Sequence, residues 1–210
     1  LNGAMVPRAE AVVSVLDAGF LLGDGVWESF RVQGGVPGFL DDHLDRLFEG
    51  LAALDLDPGL TRAEIAQALH RTLAANGMRD GVHVRLMITR GPKRTPYQGR
   101  GGDLRVPTVV IFPEYKVPPP DLPTRGLRLV TVHVRRGAPD VQDPGWNSHS
   151  KLNCVSAAIQ AEKLGADEAL MLDPHGFVAT RNSTHFFVVK KGELLTSTPK
   201  YCLEGITRAK

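Results

Sequence analysis

The chain has 210 residues, 42% apolar and 23% charged, which suffices for a packed core in one large or two small domains. Its net charge of +2 comes without a long basic run, so nucleic acid is not an expected partner, and no apolar stretch is long enough for a membrane helix. Its two cysteines, Cys154 and Cys202, form no C-x-x-C pair, so neither a disulfide framework nor a metal site is expected and a cytoplasmic setting is.

In chain order, Val-rich Ala11 to Leu16 reads as a strand. Trp27 to Val32 and Val36 to Leu40 read as a hairpin around Gln33-Gly34-Gly35. Leu44, Leu47, Phe48, Leu51 and Leu54 fall at helical spacing, which predicts a helix over 41–54. Thr61 and Glu64 have the form of a capping box opening a second helix through Ile65, Leu69 and Leu73, closed by Asn76-Gly77. Val82 to Thr89 and Pro107 to Phe112 read as strands. Pro113 to Pro123 is rich in proline and reads as a stiff linker. The domains are therefore placed at 1–113 and 124–210, with the linker at 114–123. Beyond it, Leu127 to Val134 reads as a strand, Arg135 to Ser150 as an irregular loop, and Cys154 to Leu164 as a helix with Cys154, Ala157, Ala158 and Ala161 on one face. Four short strands follow: Glu168 to Leu172, Phe177 to Thr180, Phe186 to Lys190 and Glu193 to Thr196. The whole reads as α+β with mostly antiparallel sheets.

Four features have the chemistry of a site. Lys151 lies between a loop and a helix, where an amine on a flexible stem can bond a carbonyl cofactor; on spacing alone a solvated surface charge is the commoner reading of such a lysine. Gly205-Ile206-Thr207 opens a helix whose first N–H groups suit a phosphate, or are simply capped. Arg46, on the polar side of its helix, can clamp a phosphate or pair with Asp42 one turn away. The glycines of Gly23-Asp24-Gly25 permit a tight turn and close approach of a ligand or another backbone. The seven histidines are scattered without metal spacing.

The order of these features is more specific than any one of them. Asp17-Ala18-Gly19-Phe20, Gly23 to Glu28, His43-Leu44-Asp45-Arg46-Leu47, Lys151 with Asn153, Gly165 to Leu170, and Gly205 to Arg208 together resemble the class IV aminotransferases, the fold type IV enzymes that use pyridoxal 5'-phosphate (PLP). The resemblance spans essentially the whole chain. It implies a small N-terminal α/β domain, a larger C-terminal pseudo-barrel domain and a homodimer. It implies an aminotransferase acting on an amino acid and a 2-keto acid, with Lys151 as the Schiff-base and proton-transfer lysine. Arg46 would bind the cofactor phosphate, and Ile206 and Thr207 would cradle it. Thr180 stands where the family has a glutamate facing the pyridine nitrogen, Leu22 and Cys154 stand where tyrosines are usual, and the stretch from Lys151 to Gly165 is shorter by about one helical turn. These departures keep two other readings in play: an aminodeoxychorismate lyase-like enzyme, and a catalytically degenerate PLP-binding member. The pattern breaks off after Arg208, so a truncated C-terminus is expected.

Overall fold

A computed structural model describes residues 1–210 and divides them into two compact units. The first comprises Leu1–Val117 and Asn147–Ser150; the second comprises Pro118–Trp146 and Lys151–Lys210. Within these residues the first unit is the longer.

The first unit is a four-stranded antiparallel sheet with two long helices. Helix α1 (Ala18–Leu22) leads into β1 (Gly25–Gln33), which turns back as β2 (Val36–Pro37). Gly34 and Gly35 have φ of 59° and 79°, the left-handed pair that a two-residue hairpin loop requires. Helices α2 (Leu40–Ala53) and α3 (Arg62–Ala75) follow, then β3 (Val82–Thr89) and β4 (Thr108–Tyr115), in the sheet order β2-β1-β3-β4. The Thr61/Glu64 capping box forms: Glu64 N–H donates to Thr61 Oγ1 at 3.3 Å, and Thr61 N–H donates to Glu64 Oε2 at 2.7 Å. Strands β1 and β3 alternate, so Val26, Phe30 and Val32 with Val82, Val84, Leu86 and Ile88 turn inward. They meet Leu44, Leu47 and Leu51 of α2 and Ile65, Leu69 and Leu73 of α3. Each such fully buried aliphatic side chain contributes about 2 kcal/mol of apolar transfer.

The second unit begins with α4 (Leu122–Arg125) and β5 (Leu129–Thr131). Helix α5 (Leu152–Lys163) leads to β6 (Glu168–Leu172), which pairs parallel with β5 and antiparallel with β7 (Val178–Arg181). Ala157 and Ala161 of α5 pack on Val132, Ala169 and Met171. Strands β8 (Phe187–Lys190) and β9 (Glu193–Thr196) form a separate hairpin, every residue of it exposed, and the chain ends in α6 (Ile206–Ala209).

Four local expectations are corrected. Residues 11–16 are irregular, because Val12, Val13, Val15 and Leu16 are all exposed and no strand lies beside them to pair with. Strand β4 runs through Pro113 to Tyr115, beyond the end expected at Phe112; as the sheet's edge it tolerates a residue without an N–H. The proline-rich segment runs into a helical turn, α4, where no helix was expected. The strand expected over 127–134 contracts to three residues and is the one parallel partner in an otherwise antiparallel set.

Candidate active site

In the first unit, the inward alternation of β1 puts a carboxylate among aliphatic side chains. Glu28 lies between Val26 and Phe30 on the buried face, with its side chain 1% exposed. An unpaired charge there would cost several kcal/mol, so partners are obligatory. Helix α2 supplies them from one face, three residues apart. Arg46 donates Nε–H to Glu28 Oε1 at 2.7 Å and Nη2–H to Oε2 at 2.6 Å, and His43 donates Nδ1–H to Oε2 at 2.7 Å. Burial pushes the Glu28 carboxyl up, but the hydrogen bonds from His43 and Arg46 outweigh it and hold the group below its ordinary value. Arg46 is thus not on a solvated helix face, and it pairs with Glu28 on the sheet. Glu28 was not singled out from the sequence. Its signal was there: a carboxylate at an inward position of an alternating strand.

The Gly23-Asp24-Gly25 motif serves the approach of another backbone. Residues 147–150 lie along the start of β1 as a short antiparallel strap. Trp27 N–H donates to Asn147 O and His149 N–H to Gly25 O, both at 2.9 Å, and Val26 bridges Ser148. The Trp27 indole Nε1–H adds a bond to Ser148 O at 3.1 Å. A Cβ on Gly25 would sit 2.9 Å from the His149 ring and 2.5 Å from Ile88 O, so only glycine allows this packing. The turn is held from the other side by Arg90, which donates Nε–H and Nη2–H to the two Asp24 oxygens at 2.6 and 3.0 Å.

Lys151 follows this strap directly. It is half-buried and is the N-cap residue of α5, its carbonyl accepting from Val155 N–H at 2.9 Å. One turn on, the Cys154 thiol accepts from Arg136 Nη1–H at 3.0 Å, so its surroundings are not purely apolar. Arg136 also donates to Asn153 Oδ1 and to Tyr201 O, joining α5 to the C-terminal segment. Both cysteines are free thiols, and burial pushes the Cys202 thiol up.

Thr180, on β7, is buried, and its hydroxyl donates to Thr184 O at 3.0 Å. That leaves only its lone pairs to offer a further group. The segment before α6 is fixed by side chains on either side. Ser197 Oγ–H donates to Ala179 O, Arg208 Nη2–H donates to Ser197 O at 2.6 Å, and His185 Nε2–H donates to Leu203 O at 2.7 Å. The His185 ring lies under Gly205, where an added Cβ would come within 2.4 Å of it. Thr180 and the Gly205-Ile206-Thr207 turn are therefore tied to one another through Ser197. Lys151 lies in the same unit as these residues, and Arg46 lies in the other.

The profile of the amino-transferase class IV family matches residues 25–210. The branched-chain-amino-acid aminotransferase-like protein 2 of Arabidopsis thaliana is 41% identical over 205 residues, covering 98% of this chain and 36% of the plant protein. A putative branched-chain-amino-acid aminotransferase of Methanocaldococcus jannaschii is 40% identical over 218 residues, covering 99% of this chain and 71% of that protein. The chain thus spans little more than a third of the plant relative. Among solved structures, the branched-chain aminotransferase of the thermophilic archaeon Thermoproteus uzoniensis with norvaline superimposes with a TM-score of 0.84 at 29% identity, covering 99% of this chain and 70% of that one. With its α+β, fold type IV architecture and this near-complete match, the chain belongs to the class IV aminotransferase family.

Proposed function

We propose that this chain is a PLP-dependent aminotransferase that moves an amino group between an amino acid and a 2-keto acid, with Lys151 as its cofactor lysine. The observation that carries the reading is the place of Lys151: capping α5, directly after a strap docked on β1, inside the ordered motifs of its family. The donor set suits PLP at two ends. An amine on a helix cap suits the aldehyde. In the second unit the first N–H groups of α6 and the Thr207 hydroxyl suit a phosphate dianion; Arg46, in the first unit, is proposed as a phosphate-binding residue from the family resemblance alone. Thr180 would offer the pyridine nitrogen a lone pair and no charge.

When bound, PLP supplies an electron sink for the pair left by the departing Cα proton. Lys151 does the chain's own chemistry: its amine holds the cofactor at rest and moves the Cα proton during turnover. Glu28 and His43 keep the guanidinium plane of Arg46 fixed, so phosphate binding carries no reorientation cost. The neutral Thr180 hydroxyl stabilises a protonated ring nitrogen less than a carboxylate would, and slower proton removal is expected. The reading extends to a homodimer, a cytoplasmic setting, and two domains parting in the proline-rich segment. Branched-chain amino acids are the first donors to test, because the relatives above are named for them.

Borohydride reduction of the PLP-loaded chain should fix the label on Lys151, and Lys151→Ala should abolish both the label and the donor-dependent change in cofactor absorbance. A label found elsewhere refutes the lysine assignment. Pyruvate release from aminodeoxychorismate without any keto acid would move the chain to the lyase branch. Bound cofactor unchanged by every amino acid would make it the degenerate member.

A further inference from the structure

We infer that Trp27 is a positioning residue for Lys151, acting through the strap that precedes it; the inference rests on the reading of Lys151 as the cofactor lysine. The strap is short, and its hold on β1 is confined to Gly25–Trp27. It includes two backbone bonds of 2.9 Å and the indole bond to Ser148 O of 3.1 Å. Strand β2 pairs only with Val32 and Gln33 at the far end of β1, so no other strand shares this stretch of that edge. Asn147 and Ser148 are almost wholly buried, so an undocked strap would lose partners that water replaces only after opening.

The indole is itself fixed. The Arg85 guanidinium lies 4.1 Å from its ring centroid, and Trp27 pairs in register with Met87 of β3. The Nε1–H is therefore presented to Ser148 O by a ring that cannot swing away cheaply. Three residues after that carbonyl comes Lys151. Its cap conformation, with φ −109° and ψ 11°, is set on one side by the strap and on the other by the first turn of α5. Freeing the strap frees the backbone from which the Lys151 amine is presented. Trp27 touches no reacting atom in this account; its effect passes through the Ser148 carbonyl and the chain beyond it.

The test uses the full chain with PLP. Trp27→Phe keeps an aromatic face for Arg85 and removes the N–H, together with part of the indole surface. Hydrogen exchange at the His149 amide should accelerate about five-fold, the equivalent of one net hydrogen bond, with β3 protection unchanged. Borohydride labelling of Lys151, measured against labelling of exposed Lys163 on the same helix, should slow several-fold. Ser148→Gly, which leaves the sheet core intact and loosens only the strap, should move both readouts in the same direction. Unchanged strap exchange in both variants overturns the inference, as does faster exchange with an unaltered Lys151-to-Lys163 labelling ratio. If the wild-type chain shows no label at Lys151, the cofactor reading fails and this inference with it; a labelled wild type with unaffected variants sinks the inference alone.

Discussion

Replacing Glu28 by Gln tests whether the buried carboxylate network holds the first unit together. The carboxylate accepts three charge-assisted bonds, two from Arg46 and one from His43. Glutamine keeps one acceptor oxygen and turns an NH2 group toward one of these donors. The Arg46 guanidinium, with its side chain 13% exposed, is then left largely buried and loses the Glu28 charge it pairs with. Removing one partner of a buried pair costs about 3–5 kcal/mol, and the slight exposure of Arg46 favours the low end, about 3 kcal/mol. With a urea slope of about 2 kcal/mol per molar, the midpoint falls by about 1.5 M. Trp27 fluorescence in a Trp146→Phe background reports this unit alone, which matters because two units need not unfold together. The difference between wild type and variant should depend on pH in one direction. The folded-state value of Glu28 is lowered from 4.5, so its contribution is full above that pH and is lost as the pH falls through the lowered value. A midpoint shift below about 0.5 M at pH 7, or a difference that grows on acidification, would refute the reasoning.

Two further substitutions follow from packing and charge. Gly205→Ala pushes a methyl group into the His185 ring and should cost about 1–3 kcal/mol and weaken PLP binding; adding His185→Ala should relieve the stability loss, and chemical denaturation of the single and double variants checks both. Lys93, with its side chain 1% exposed, pairs with Asp103 and donates to Gly99 O at 3.2 Å. Lys93→Met should destabilise by about 3 kcal/mol, whereas Lys93→Met with Asp103→Leu should recover most of that loss, because the second change removes the stranded carboxylate; equal losses in the two would contradict this.

Local chemistry was legible in the sequence where one residue type decides the outcome. The Thr61/Glu64 box, the Gly34-Gly35 loop and the Leu44/Leu47/Leu51 face of α2 all formed where periodicity and cap chemistry put them. The Val-rich run at 11–16 shows the limit of β propensity. A strand needs a partner edge, and none is offered there. Pro113 misled in the opposite sense, since an edge position makes a missing N–H harmless. The Glu28–His43–Arg46 network was half legible: alternation marks Glu28 as inward, but only the packed structure brings α2 to it. The strap could not be read at all, because it joins residues more than 100 positions apart and is made mostly of backbone bonds that no side-chain pattern encodes. For the candidate site, Lys151, Thr180 and the Gly205 turn were singled out by motif order and not by local spacing.

The strap has a consequence for synthesis. The first unit is not a contiguous length of sequence: it leaves the chain at Val117 and takes it up again at Asn147. A ribosome making the protein from its N-terminus releases the sheet long before the residues that complete its β1 edge. At about 5–20 residues per second that edge stays open for seconds, with the N–H of Trp27 and the carbonyl of Gly25 available to any passing strand. A gene fragment cut at residue 117 would make that transient condition permanent, and the excised piece is expected to associate through this edge. Nascent chains become safe from such pairing only after Ser150 emerges, which is also when Lys151 follows.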